Sequence, residues 1–259
     1  MNDTPLSRRH LLTAGGAAFG GLLLAGCDRL SQAPKFQSLL ASAERASFGA
    51  QRLLLSSQPL AREFKEADLS PVFRPNGSTM PDDPAYKATL ENGFADWALK
   101  IDGLVARPAS LSLADLKRLP QRTQITRHDC VEGWSAIGKW TGTPLGALLK
   151  TVGLAPNARF AVFHCADDLE QSADGTGRYY ESIDLIDAFH PQTILAHTMN
   201  DKPLEVAHGA PIRLRVERQL GYKQAKYVMR IEIVDSFARF GQGKGGFWED
   251  RGYEWYAGI

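Results

Sequence analysis

Three stretches of the 259-residue chain carry side chains able to do chemistry. The first is Arg127-His128-Asp129-Cys130-Val131-Glu132-Gly133-Trp134, which sets a thiol beside a basic pair and two acids. The second is His164-Cys165, another thiol next to an imidazole. The third runs from His208-Gly209-Ala210-Pro211-Ile212-Arg213 to Gly221-Tyr222-Lys223-Gln224-Ala225-Lys226 and collects cations among glycines. A thiolate serves either as a soft metal ligand or as a nucleophile. Imidazole moves protons near neutral pH, and Lys or Arg with backbone N–H groups holds oxyanions. By type alone the third stretch reads equally well as a solvated cationic edge.

Cysteine usage narrows these options. The chain has three Cys, and no CxxC or CxxCH spacing occurs. That argues against c-type haem, zinc ribbons and iron–sulfur clusters held by such pairs. Cys27 belongs to the N-terminal address described next. Cys130 and Cys165 remain, in a compartment that oxidises spare thiols. Either they form one disulfide, or each is protected by burial or by a metal. A Cys–His hydrolase using Cys130 with His128, His164 or His208 is a further reading, although no nucleophile-on-helix signature accompanies it.

Residues 1–27 read as an export signal and stand outside the fold. Ser7-Arg8-Arg9 precedes a moderately apolar stretch from Leu11 to Leu24, too short for the roughly 20 residues a membrane span needs. The pair Arg8-Arg9 has the twin-arginine arrangement, used by proteins exported already folded, commonly around a cofactor. Leu24-Ala25-Gly26-Cys27 looks like a lipobox, with Cys27 acylated. Asp28 then resembles the signal that retains a lipoprotein at the periplasmic face of the inner membrane. Without Arg8, Arg9 and Asp3 the chain keeps 28 basic and 28 acidic residues. A balance of zero suggests no nucleic-acid partner.

The elements that must position these groups follow from pattern. Phe36, Leu39, Leu40, Ala43, Ala46, Ala50, Leu53 and Leu54 mark a helical stripe, with a restart predicted at Pro59. Residues 28–69 are therefore expected to form a helical arm that spaces the domain from the anchor. Residues 70–84, rich in Pro, Gly and Asp, read as a long loop of the functional kind. Strands are expected over 97–105, 123–126, 159–163, 194–199, 212–216 and 227–234. Short helices are expected after Ser112 and after Thr143-Pro144, the second closing at Gly153. If the strand at 123–126 continues, His128 and Cys130 share one face while Arg127 and Asp129 share the other. The class is α+β with a mixed sheet, read as one domain over 70–259. The glycine-rich, aromatic tail from Gly241 to Tyr256 reads as a clip packed on the domain, or as a lid or a partner dock.

The motif around Cys130, continued by Lys139-Trp140-Thr141-Gly142-Thr143-Pro144-Leu145, resembles the sulfite-oxidase-fold molybdopterin oxidoreductases. Within them it is most similar to the periplasmic methionine-sulfoxide reductase catalytic subunits. The resemblance spans about Pro71 to Val234. It implies a molybdenum–molybdopterin cofactor with Cys130 as the metal ligand. It also implies contacts to the pterin and its phosphate from Asn76, Cys165, His208, Arg213, Gln224 and Lys226, with Lys223 as a further candidate. Arg127 and His128 are the candidates for steering substrate or moving protons. Two positions depart from the reductases: Cys165 stands where they have Thr, and His208 where they have Asn. The implied activity is two-electron oxo transfer on a small or sulfur-containing substrate. Sulfite is disfavoured, because Val131-Glu132-Gly133-Trp134 lacks the arginines that would bind a dianion. No haem or flavin motif is present, so electrons are expected from a separate redox protein or membrane subunit. The competing reading is an anchored binding module that keeps the fold without catalysis.

Overall fold

The computed structural model describes residues 33–54, 59–171, 175 and 177–259. The twin-arginine pair, Cys27 and Asp28 lie outside them. Two compact units divide at Ser56/Ser57. In the first, helix α1 (Pro34–Leu54) realises the apolar stripe, with Pro34 at its first position. No described helix is long and apolar enough to cross a membrane.

The second unit, Ser57–Ile259, corrects the arm as read from sequence. Residues 59–65 do not restart a helix. They run extended beside residues 125–126, where the Phe64 N–H donates to the Ile125 carbonyl at 2.9 Å and Glu63 bridges Thr126. The Gln192 Oε1 accepts from the Ala61 N–H at 2.7 Å. An open strand edge offers these backbone groups more partners than an isolated turn of helix would. In the loop 70–83, Ser70 ties to Ile137 through both backbone and hydroxyl. Helix α2 (Pro84–Glu91) then starts on an Asp83 N-cap with Pro84 in its first turn. The sequence pattern shows this helix only as the end of a loop.

Among the described residues ten strands make two sheets, not one. The first sheet contains β1 (Ala98–Gly103), β2 (Ala109–Ser112), β5 (Phe160–Asp168), β6 (Arg178–Asp184) and β10 (Val228–Val234), in the order β2-β1-β10-β5-β6. Its β1–β10 pair is parallel and its other pairs are antiparallel. The second sheet is antiparallel throughout: β3 (Arg122–Cys130), β4 (Trp134–Pro144), β7 (Ile194–Met199) and β8 (Lys202–Pro203), with β9 (Arg213–Arg215) also on β7. Helix α3 (Leu113–Arg118) carries a Ser112/Asp115 capping box. Helix α4 (Leu145–Val152) buries Leu145, Leu148, Leu149 and Val152 and ends at Gly153, whose φ is 68°. These side chains join Leu99, Ile101, Phe163, Ile231 and Ile233 in the main core. The fold is α+β with a mixed sheet, as expected, and the second sheet presents Cys130 at its rim.

Candidate active site

Cys130 is the last residue of β3, and Trp134, the first of β4, pairs with it across the turn. Gly133 makes that turn possible at φ 86°, a conformation other residues adopt at a cost. The strand runs unbroken to Cys130, so alternation decides what faces inward. Gln124, Thr126 and His128 are buried, while Arg127 is more than half exposed and pairs with Asp129 at 2.9 Å. Arg127 opens on a separate cleft with Arg62, Phe64 and Ile137. Its candidacy for the active site is corrected on that ground.

The Cys130 cleft holds about 640 Å³ of empty volume, part of it open to solvent, and its walls come from six separate segments, one of them Tyr179 of β6. Asn76 comes from loop 70–83, Glu132 from the β3–β4 turn, Asp167 from β5, Gln224 and Lys226 from the segment after Gly221, and Trp248 from the tail. Phe73 fixes the loop that carries Asn76. Its ring packs 5.6 Å from His128, 5.4 Å from Trp140 and 5.8 Å from His208. The tail is both clip and wall. Phe247 is buried, Tyr180 donates to Asp250 at 2.6 Å, and Trp248 stacks on Tyr253 at 5.4 Å with both rings facing the cleft.

Next to the cleft lie cations without counter-ions. Arg213 is fully buried; its Nη1 donates to the His208 carbonyl at 3.0 Å, its Nη2 to the Gln224 carbonyl at 3.2 Å, and its Nε to nothing. Burial and the neighbouring Arg215 depress it to about 9. Lys226 donates to the carbonyls of Ser78 and Ala207, and burial with the Arg213 charge lowers it to about 7. Both make only carbonyl hydrogen bonds; Glu217 acts on Arg213, and Asp167 and Glu132 on Lys226, only through space, so holding either as a cation is costly unless an anion arrives. Gly209 lets these two side chains pack together, since a Cβ there would fall 2.9 Å from Lys226 Cβ and 3.2 Å from Arg213 Cβ.

Other expected contacts are placed differently. His128 is buried and does not line the cleft. Arg215 Nη1 donates to its Nδ1 at 3.0 Å, which leaves the proton on Nε2, and Nε2 has no partner. Desolvation and the Arg215 and Arg213 charges keep the ring neutral, well below the usual imidazole range. Arg215 in turn is held by Glu217 at 2.6 Å. His128 therefore stands behind the wall of the cleft and is not part of its lining. Lys223 turns away altogether: it is buried between Glu181 and Glu249, because the 3-10 turn Gly221–Lys223 points consecutive side chains in different directions. The His208 ring faces a second groove with Phe73, Met199 and Glu205 and only its carbonyl supports the site, through Arg213. Cys165 sits in the main core and off the cleft lining, and both thiols are free, which removes the disulfide reading. Sequence reading missed Asp167 and Tyr179. A register shift in β5 between His164 and Asp168 interrupts the alternation on which a sequence-based placement of Asp167 would rest.

The donor set fits a molybdopterin. Asn76 Oδ1, Asp167 Oδ1, Arg213 Nε and Gln224 Oε1 are all buried without partners. They supply unused donors and acceptors beside two cations whose charge no carboxylate neutralises. Among the described residues no three His, Cys, Asp or Glu are grouped to hold a metal, so a metal at Cys130 needs its other ligands from a cofactor.

A chain from Azospira oryzae with the provisional name of protein-methionine-sulfoxide reductase subunit YedZ1 is 35% identical over 98% of this chain and 88% of its own length. The protein-methionine-sulfoxide reductase catalytic subunit MsrP of Xanthomonas campestris is 36% identical over 59% of this chain, a match spanning 49% of that subunit. The sulfane dehydrogenase SoxCD of Paracoccus pantotrophus overlays at a TM-score of 0.48 with 26% identity, covering 54% of this chain and 39% of that one. Residues 86–239 match the family described as the oxidoreductase molybdopterin binding domain. They include Cys130, Arg213 and Lys226, and the chain belongs to that family of molybdopterin oxidoreductases.

Proposed function

We propose that this chain reduces a sulfoxide, of the kind named in its relatives as oxidised protein methionine, at a molybdenum carried by molybdopterin with Cys130 as protein ligand. Two electrons and two protons convert the sulfoxide to its thioether and one water. The bound group would supply the two-electron exchange and the site that accepts the oxygen. One observation carries the reading: the Cys130 thiol shares a cleft with the buried Lys226 and with Gln224, whose carbonyl accepts from the fully buried Arg213, and neither cation has a carboxylate within ion-pair distance.

This chain's residues shape the rest. Arg213 and Lys226 would neutralise the cofactor phosphate, and Asn76 and Gln224 would meet its polar edges. The rim holds Val131, Leu169, Trp248 and Tyr253. Glu132 lies beside them and accepts from Trp134 Nε1 at 3.0 Å. An apolar, aromatic and acidic mouth suits a neutral sulfoxide, since sulfur packs well on aromatic edges, and repels sulfite. Burial and the Glu132 charge raise the free Cys130 thiol, and His128 does not hydrogen-bond to it. That is the opposite of an activated Cys–His nucleophile.

Electrons would come from a separate redox protein or membrane subunit. The chain would act at the periplasmic face of the inner membrane, anchored through Cys27 after twin-arginine export, with residues 28–69 as the spacer. The test uses protein exported by its own signal. Expected are about one molybdenum and one pterin per chain, and reduction of methionine sulfoxide in an oxidised protein by a chemically reduced dye. Sulfite oxidation without sulfoxide reduction would reverse the assigned direction. Absence of both metal and pterin would leave the fold as an anchored binding module.

A further inference from the structure

Among the described residues, helix α1 is the one element of the first compact unit. Its 21 residues place Phe36, Leu39, Leu40, Ala43, Ala50 and Leu53 along one side, at the three- and four-residue spacing that makes a continuous stripe. Ser47 is the polar position inside that stripe. Leu39, Leu40 and Leu53 are exposed, Leu53 at 81%. A single helix cannot bury its own stripe. Ser42, Ser47 and Gly49 are weaker helix formers than alanine, and a helix of this kind owes most of its stability to packing its apolar face on something.

Apolarity, charge and position indicate what that surface is. The helix is not apolar enough to span a bilayer, yet an apolar stripe broken only by one serine is the pattern of helices that lie in the membrane interface. The sequence of the helix sets Lys35, Arg45 and Arg52 against one acid, Glu44, a basic excess that suits anionic headgroups. Arg52 lies off the stripe, over the Phe48 ring at 5.3 Å from its centroid. Ala33, the first described residue, follows Cys27 by six residues, which reach at most about 20 Å when extended. An acylated Cys27, as proposed above, would therefore hold the start of α1 at a bilayer surface, where even a weak affinity suffices. We propose that α1 lies along the membrane surface with its leucine stripe among headgroups and acyl chains, as a second membrane contact besides the lipid. The inference goes beyond the sulfoxide reading and does not rest on it.

The test uses the chain from Asp28 to Ile259, purified without acyl groups, so that neither lipid nor the stretch Leu11 to Leu24 can bind membranes. It is sedimented with vesicles of phosphatidylglycerol and phosphatidylethanolamine, and with vesicles of phosphatidylcholine alone. Wild type should partition onto the anionic vesicles, about tenfold better than onto the neutral ones, and its helix content by circular dichroism should rise on binding. Replacing Leu39, Leu40 and Leu53 together by Ser should cut partitioning by more than about tenfold. Ser47→Leu fills the gap in the stripe and should raise it several-fold. The melting temperature of the second unit should be the same in all three proteins, because no substituted residue lies in it. No partitioning by wild type overturns the proposal, as does partitioning that the triple variant keeps. A concentration-dependent dimer that the triple variant abolishes would assign the stripe to a second copy instead. Cys27 is absent from this experiment, so a failed lipid anchor and a failed helix contact are told apart.

Discussion

Two thiols in one domain have been given opposite tasks, and substitution separates them. Cys130→Ser exchanges a soft donor for a hard one. Turnover and the thiolate-to-metal optical band should vanish while pterin remains, held by contacts elsewhere. Cys165→Ser places a hydroxyl in the core, where an unpaired hydroxyl costs about 1–3 kcal/mol. Metal and most activity should survive at a lower melting temperature. The reverse ranking, read by elemental analysis and spectroscopy, would exchange the assignments. Lys226 gives a pH dependence whose sign follows from its depression to about 7. Unfolded chains protonate it near 10.4, so between there and about 7 the unfolded state holds a proton that the folded apoprotein lacks. Apoprotein stability therefore falls as pH drops through that window and levels off below it. An anionic cofactor reverses the depression, so binding takes up a proton, and affinity should decline by up to roughly tenfold per pH unit above about 7. Titration of apoprotein with molybdopterin at several pH values measures this, and a flat profile would remove Lys226 from the phosphate.

At the scale of elements, the β3–β4 hairpin and the turn Gly221–Lys223 must approach closely. A Cβ on Gly221 would stand 2.5 Å from His128 Nε2 and 3.2 Å from the Asp129 carbonyl. Gly221→Ala should therefore push the hairpin off the turn, at a cost of about 1–3 kcal/mol, and lower cofactor retention without touching a contact residue. Normal melting and normal retention would show that the hairpin yields freely. Much of this was legible beforehand. Strict alternation along β3 assigns His128 and Cys130 to one face, and the motif residues Asn76, Gln224 and Lys226 do reach the cleft. Other placements depend on information that no short pattern carries. The direction of Lys223 is set by Glu181 on another strand and Glu249 on the tail. The extended run at residues 59–65 is decided by the edge of β3, and Pro59 satisfies an extended backbone as readily as a first helical turn. Helix α2 was hidden because Asp83-Pro84 serves equally as a loop ending and as an N-cap with its first residue.

At the largest scale, the second unit is closed by its tail. Lys223 joins Glu181 of β6 to Glu249, and all three are buried. Burial and the Glu249 charge hold Glu181 well above the usual carboxylate range, so the pair of acids is tolerable only around the ammonium. Lys223→Met should strand that charge, at about 3–5 kcal/mol. For a unit of this size the melting temperature should fall by roughly 2–4 °C per kcal/mol. The tail should also become sensitive to protease before the rest of the domain. Unchanged melting would mean the two acids protonate without loss. The stacked pair Trp248 and Tyr253 has one more consequence, in the order of synthesis. Every other wall of the cleft, from Asn76 to Lys226, leaves the ribosome earlier. A nascent chain can therefore complete the thiol, the amides and the cations while one side of the cleft still stands open. Movement of those few aromatic residues would also be enough to admit or release a bound group once the chain is complete.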